Sequence, residues 1–141
     1  MTFMLNFTID CIPVGKGRPR FARMGNLVRT YNDKKTTDFE DIVRIQTLTA
    51  MGKSDPLETP VAVYLYFRLP IPQSYTKKRT EACLSGFRHI KRPDLDNLAK
   101  SVLDGMNGIV FKDDSQITSL HCTKVYSNVA GVNILVKEDL E

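Results

Sequence analysis

The amino-acid sequence predicts an α+β fold (mixed α/β), a mainly antiparallel sheet packed with two main helices. Three observations carry that prediction. Phe3, Leu5, Phe7 and Ile9 alternate with Met4, Asn6 and Thr8, the period of a half-buried strand. Residues 34–51 and 97–107 instead repeat their apolar side chains at three- and four-residue steps, the period of a helix. Residues 61–69, 116–126 and 129–137 return to β-branched and aromatic composition. With 141 residues, 42% of them hydrophobic, the chain can bury one core and not two, so residues 1–141 are expected to form a single domain.

In chain order, the first strand gives way to Pro13, Gly15, Gly17 and Pro19, which forbid regular structure through the basic run that follows; residues 26–31 are expected to be briefly extended. The helix over 34–51 has Asp33 or Thr36 to cap its start, Phe39, Ile42, Val43, Ile45 and Leu48 as its apolar stripe, and Gly52 at its end. Residues 61–69 form a strand apolar enough to be central, closed by Pro70 and Pro72. A short exposed helix is predicted over 76–84, ending near Gly86. The helix over 97–107 buries Leu98, Val102, Leu103 and Met106, with Gly108 as its breaker. Residues 109–111 are brief and apolar and lead to a turn at Asp113-Asp114. The last two strands are separated by Ser127-Asn128, short enough for a hairpin.

The formal charge is only +4, but it is unevenly spread. Between Cys11 and Thr30 lie Lys16, Arg18, Arg20, Arg23 and Arg29 with no acid. Between Ile71 and Arg92 lie Lys77, Lys78, Arg79, Arg88, Lys91 and Arg92 against Glu81 alone. Basic runs are often just solvated loops. Here both carry Gly, Pro or aromatic residues and flank an acidic motif, which points to a polyanion surface. Cys11, Cys83 and Cys122 have no metal-type spacing and an odd count, so reduced thiols and a cytoplasmic location are expected. No apolar run approaches the roughly 20 residues of a membrane span, and the N-terminus lacks the basic flank of a signal peptide.

That acidic motif runs Arg92-Pro93-Asp94-Leu95-Asp96-Asn97-Leu98-Ala99-Lys100, with Lys112-Asp113-Asp114 one helix length later. Asp94 and Asp96 fall on one side of an extended entry to the helix, and Lys100 lies one turn beyond Asp96. A helix and an adjacent strand are expected to bring these acids together with the lysine. Mg²⁺ takes hard oxygen ligands, usually one or two carboxylates plus water and phosphate oxygens. The group therefore suits metal-assisted hydrolysis of a phosphodiester. Three plainer readings compete. Either Asp94 or Asp96 serves as an N-cap, Lys100 is a surface partner of Asp104, or the run is a calcium loop. The last fails, because Leu98 and Ala99 occupy positions that need a ligand and a glycine. His89 and His121 have no partner at zinc spacing, and Tyr64, Tyr66 and Phe67 read as strand and core.

The segment from Arg92 through Asp94, Asp96, Asn97, Lys100, Asp113 and Asp114 to Gln116 resembles the signature of RusA-type Holliday junction resolvases, common in prophages and bacteriophages. Gly15-Lys16-Gly17-Arg18-Pro19-Arg20 and the stretch Pro72-Gln73-Ser74-Tyr75-Thr76-Lys77-Lys78-Arg79 resemble the phage branch of that family. The resemblance implies a homodimeric, Mg²⁺-dependent endodeoxyribonuclease (with Mn²⁺ as a substitute) that cuts four-way DNA junctions in recombination and repair. By position its metal-binding acids fall on Asp94, Asp96 and Asp114, with Asp113 also matching, and its essential lysine on Lys100. The compact interval after Asp96 leaves the choice between Asp113 and Asp114 open. Asn97 is expected to orient the site. Lys16, Arg18, Arg20, Arg23, Lys77, Lys78, Arg79 and Arg92 are expected to contact DNA phosphates. The competing readings are a metal-dependent nuclease on other branched DNA or RNA, and a nucleic-acid-binding module without catalysis.

Overall fold

The computed structural model describes residues 3–17, 20–31 and 33–140, with Arg20 described in its backbone alone. Arg18 therefore lies outside the described residues. The elements are β1 (Met4–Ile9), β2 (Arg20–Met24), β3 (Leu27–Tyr31), α1 (Lys34–Met51), β4 (Val61–Pro70), α2 (Lys77–Leu84), α3 (Leu95–Met106), one 3₁₀ turn (Asp114–Gln116), β5 (Ile117–Ser127) and β6 (Gly131–Glu138). A mostly antiparallel four-stranded sheet, in the order β1-β6-β4-β5, is the centre of the α+β fold; only β4 and β5 run parallel. β2 and β3 form a separate two-stranded ribbon.

β4 is central because its sequence leaves no polar face on the helix side: Val63, Leu65, Phe67 and Leu69 are all buried. They meet Leu98, Val102 and Met106 of α3 and Phe39 and Val43 of α1 in one core. The predicted hairpin between the last two strands does not form. β4 lies between them, so the connection after Ser127 passes over the end of β4, and Arg68 of β4 holds it by donating to Val129 O (2.7 Å) and Asn133 Oδ1 (2.9 Å). β5 is left as an edge strand of 11 residues. The basic run is also more regular than expected, since β2 forms within it.

Helix α1 has the predicted span, with the Asp33 carboxylate accepting from Thr36 N and Gly52 closing it at a φ of 57°. Its buried face differs. Thr36, Phe39, Val43, Thr47 and Met51 face inward, while Ile42, Ile45 and Leu48 are exposed. Contact with α3 decides this. A Cβ on Gly105 would come within 2.6 Å of Val43 Cγ1, so the helices cross closely over a glycine and only small or β-branched side chains fit there. Thr47 is tolerated inside because its hydroxyl donates to Val43 O at 2.6 Å.

Candidate active site

Helix α3 begins where its sequence changes from extended to helical, with Asp94 at the N-cap (φ −68°, ψ 142°). An N-cap aspartate normally accepts from the backbone of the first turn. Asp94 makes no such side-chain bond, which sets aside the capping explanation for its presence. Asp96 accepts from Asn97 N at 3.0 Å and is exposed. Asp94, Asp96, Asn97 and Lys100 all line one cavity of about 710 Å³, together with Lys16 and Arg92. Four predicted site residues on one helix therefore meet two predicted phosphate contacts.

Two devices shape this cavity. The loop before β2 lies along α3: Lys16 N donates to Asn97 O at 2.9 Å, and Ser101 Oγ donates to Val14 O at 2.5 Å. Gly15 permits the approach, because a Cβ there would sit 3.1 Å from Pro93 Cβ and 3.3 Å from Asn97 Cβ. On the other side, Lys124 of β5 donates to the carbonyls of Lys91 (2.7 Å) and Pro93 (2.9 Å), which fixes the segment leading to Asp94. Pro93 follows a cis peptide bond. Nothing in the sequence marked Lys124 for this task, because it is 31 residues from Pro93 and meets it only through the parallel sheet edge.

Lys16, expected to contact phosphate, lines the cavity and also ties the fold together. Its ammonium bridges Glu40 (2.8 Å) and Asp104 (2.7 Å), joining the loop to both long helices. Burial lowers the affinity of Lys16 for its proton, but the bonds from Asp104 and Glu40 outweigh it and raise its pKa above the ordinary lysine value. This pairing has a consequence for Lys100. Asp104 Oδ2 is committed to Lys16, and Lys100 reaches only Oδ1 at a long 3.6 Å. With its side chain 61% exposed, Lys100 is tethered loosely and is available to an incoming anion.

Asp113 and Asp114 do not join the cavity within one chain. They follow the far end of α3, where Lys112 N donates to Leu57 O and the Gln116 amide donates to Leu57 O and Thr59 O. Twelve residues of α3 separate the two ends by about 18 Å. Along the sheet, Ile117 and Lys124 are similarly about 23 Å apart. The expected convergence of all the acids in a single chain is therefore wrong, and among the described residues no group of three or more metal-ligating side chains forms. Asp113 has local work: its carboxylate accepts from Ser115 N at 3.1 Å, and Gln116 returns a bond to Asp113 N at 2.9 Å. Hydrogen bonds from Ser115, side chain first and then backbone, with the Asp114 backbone after them, hold the Asp113 carboxyl below its ordinary pKa. Asp114 has no such bond and is exposed.

The remaining basic residues cluster at the Asp94 end. Lys77 and Lys78 are exposed in the first turn of α2, which packs on β5, and Arg79 stacks 3.8 Å above the Tyr75 ring. A neighbouring pocket of about 190 Å³, lined by Tyr75, His89, Lys91, Arg92 and Tyr126, connects that region with the carboxylate cavity through Arg92 and Pro93. Arg23 is exposed on the ribbon.

Two hard carboxylates and an amide oxygen beside a lysine and an arginine suit a divalent cation that keeps most of its shell for water and phosphate. They do not suit a soft metal: Cys11, Cys83 and Cys122 are free thiols, and none of them lines the cavity. Residues 10–137 match the family Endodeoxyribonuclease RusA, and the chain belongs to that family. Membership places it among DNA-cutting nucleases. The protein is also similar to the uncharacterized protein YqaN of Bacillus subtilis (strain 168), at 30% identity over 138 residues, which is 95% of this chain and 96% of that one. No helix among the described residues is long and apolar enough to cross a membrane.

Proposed function

We propose that this protein is a cytoplasmic homodimer that resolves four-way DNA junctions by paired, Mg²⁺-dependent phosphodiester hydrolysis, in recombination and repair. The observation that carries the proposal is the cavity at the start of α3, lined by Asp94 and Asp96, neither of them in a salt bridge among the described residues, together with Lys100 and Arg92. A binding module would gain nothing from two unpaired carboxylates in its phosphate groove.

Asp94 and Asp96 hold the ion, which supplies a more acidic water and a polarised phosphoryl oxygen when bound. Asn97, adjacent to both acids, orients them through its position in the first turn. Lys100 balances the charge that builds on the phosphorane-like transition state, and the positive end of α3 adds to it. Arg92 and the Lys77–Arg79 cluster hold the DNA backbone without reading bases.

A third carboxylate comes from the partner subunit. Asp113–Asp114 and Asp94–Asp96 lie at opposite ends of one α3–β5 unit, so a two-fold axis that sets two such units antiparallel brings one chain's later pair beside the other's earlier pair, twice. The unpaired β5 edge is the natural seam for it. Two identical sites then face the two strands that resolution must cut.

Mixing variants tests the reading. Asp96→Asn and Asp114→Asn chains, each inactive alone on a synthetic junction with Mg²⁺, should regain single-strand nicking when mixed, since the heterodimer contains one intact site. No recovery would place all the ligands in one chain. Substituting Asp113→Asn for Asp114→Asn in the mixture identifies which acid crosses the axis. Equal cutting of linear duplex, fork and RNA would refute junction resolution.

A further inference from the structure

The β2–β3 ribbon is the one described element whose large side chains are left without a core. Phe21, Met24, Leu27 and Val28 are each 62–73% exposed, and Tyr31 is 49% exposed. The two strands pack chiefly on each other. Isolated two-stranded ribbons are marginal in water, and one this apolar calls for a partner.

Charge and pattern say which partner. No acid lies between Asp10 and Asp33, whereas Arg23 and Arg29 project from the ribbon in the open. The register puts Arg23 opposite Val28 and beside Phe21 on one face, and Arg29 opposite Ala22 and beside Met24 and Leu27 on the other. Both faces thus mix a cation with apolar surface. Protein interfaces mix the two as well, but the lack of any acid from Cys11 to Asn32 leaves an uncompensated positive charge that favours a polyanion. A ribbon lying between phosphate strands needs both on each side, and a groove of DNA admits a two-stranded ribbon. The tip is a two-residue turn with Gly25 at a φ of 62°, which sets Met24 and Leu27 directly opposite each other at the apex. Apolar side chains of this kind are the ones that enter base steps and unstack them.

Position links the ribbon to the chemistry. It leaves the loop whose Lys16 and Gly17 line the carboxylate cavity and reaches about 17 Å outward, roughly five base steps. We infer that the ribbon is a wedge for branched DNA: Met24 and Leu27 enter the unstacked bases at the branch point while Arg23 and Arg29 hold the flanking phosphates. Selectivity for junctions over duplex then resides in the ribbon, because bases already unstacked at a crossover are cheaper to part than those in a continuous helix. This rests on the reading of the protein as a junction nuclease.

The test uses the full chain and a junction carrying 2-aminopurine at the branch point, with a linear duplex as reference. Binding of the wild type in EDTA should raise 2-aminopurine fluorescence on the junction and leave the duplex unchanged. The double variant Met24→Ser/Leu27→Ser should lose that rise and about tenfold of its preference for the junction, while duplex affinity holds. Because the ribbon lies off the core, the variant's melting temperature should match the wild type. Arg23→Gln and Arg29→Gln should weaken junction and duplex alike, each reducing the slope of log K against log salt by about 0.9. Unchanged fluorescence and preference in the double variant would overturn the wedge. So would a variant that loses junction preference only because its dimer dissociates in sedimentation, which would make the ribbon a subunit clasp. If the wild type cleaves the junction with Mg²⁺ while the double variant behaves like it, the wedge alone fails; if the wild type neither binds nor cleaves it, the nuclease reading fails too.

Discussion

The two ends of α3 carry acids from one sequence motif, yet the fold treats them differently. At the N-terminal end Asp94 caps nothing and Asp96 makes one local bond, and both border a basic cavity. At the C-terminal end Asp113 is bound into a tight turn and Asp114 stands exposed beside it. A carboxylate left without a hydrogen-bonding task is a ligand in waiting. One engaged in a capping box has a structural task already. The contrast teaches that a continuous sequence motif does not by itself bring its acids together within one chain.

The largest effect should come from breaking the N-terminal end. Asp96→Asn is expected to lower junction cleavage on the order of 10³-fold and to keep or tighten binding, since it removes a negative charge near phosphate. Loss of binding by a folded variant in a gel-shift assay would contradict the metal role. Next, Lys100→Ala should lower turnover by about 10²-fold with little change in affinity. Unchanged turnover would return Lys100 to its surface contact with Asp104.

A smaller effect sharpens the comparison from outside. Lys16→Met leaves Glu40 and Asp104 facing each other unneutralised and should cost about 1–2 kcal/mol in denaturant unfolding. It also frees Asp104 to capture Lys100, so turnover should fall. Stability lost without turnover would mean that Lys100 does not depend on its neighbour's pairing. The smallest effect concerns His89, in the pocket beside the cavity. Its burial first, and the Lys124 charge second, lower its pKa below the ordinary 6.5. The unfolded chain then takes up a proton near pH 6.5 that the folded chain refuses. Stability is therefore full above that pH and declines as pH falls below it. His89→Gln should flatten this decline in thermal melts followed from neutral to mildly acidic pH.

Much of the fold was legible in local pattern. The span of α1, its Asp33 cap and its Gly52 stop follow from side-chain chemistry within a few residues, and so do the apolar run of β4 and the cavity's Asp94, Asp96 and Lys100 on one helix. What failed depended on distant neighbours. Ile42, Ile45 and Leu48 have helical spacing equal to that of the residues buried, and only the close crossing over Gly105 chose between the two faces. The hairpin after Ser127 failed because β4 outcompeted β5 for the place beside β6. The structural role of Lys16 stayed hidden because Glu40 and Asp104 are 24 and 88 residues away.

The sequence by itself determined the chemistry on offer: hard oxygen donors and an ammonium spaced for one helical turn, directly after the second of two basic runs. Those choices are covalent and local. Only the tertiary structure decided which of these groups meet, because meeting depends on strand order, helix crossing and length. A helix of 12 residues holds its two ends about 18 Å apart, so the acids before and after it do not meet within one chain.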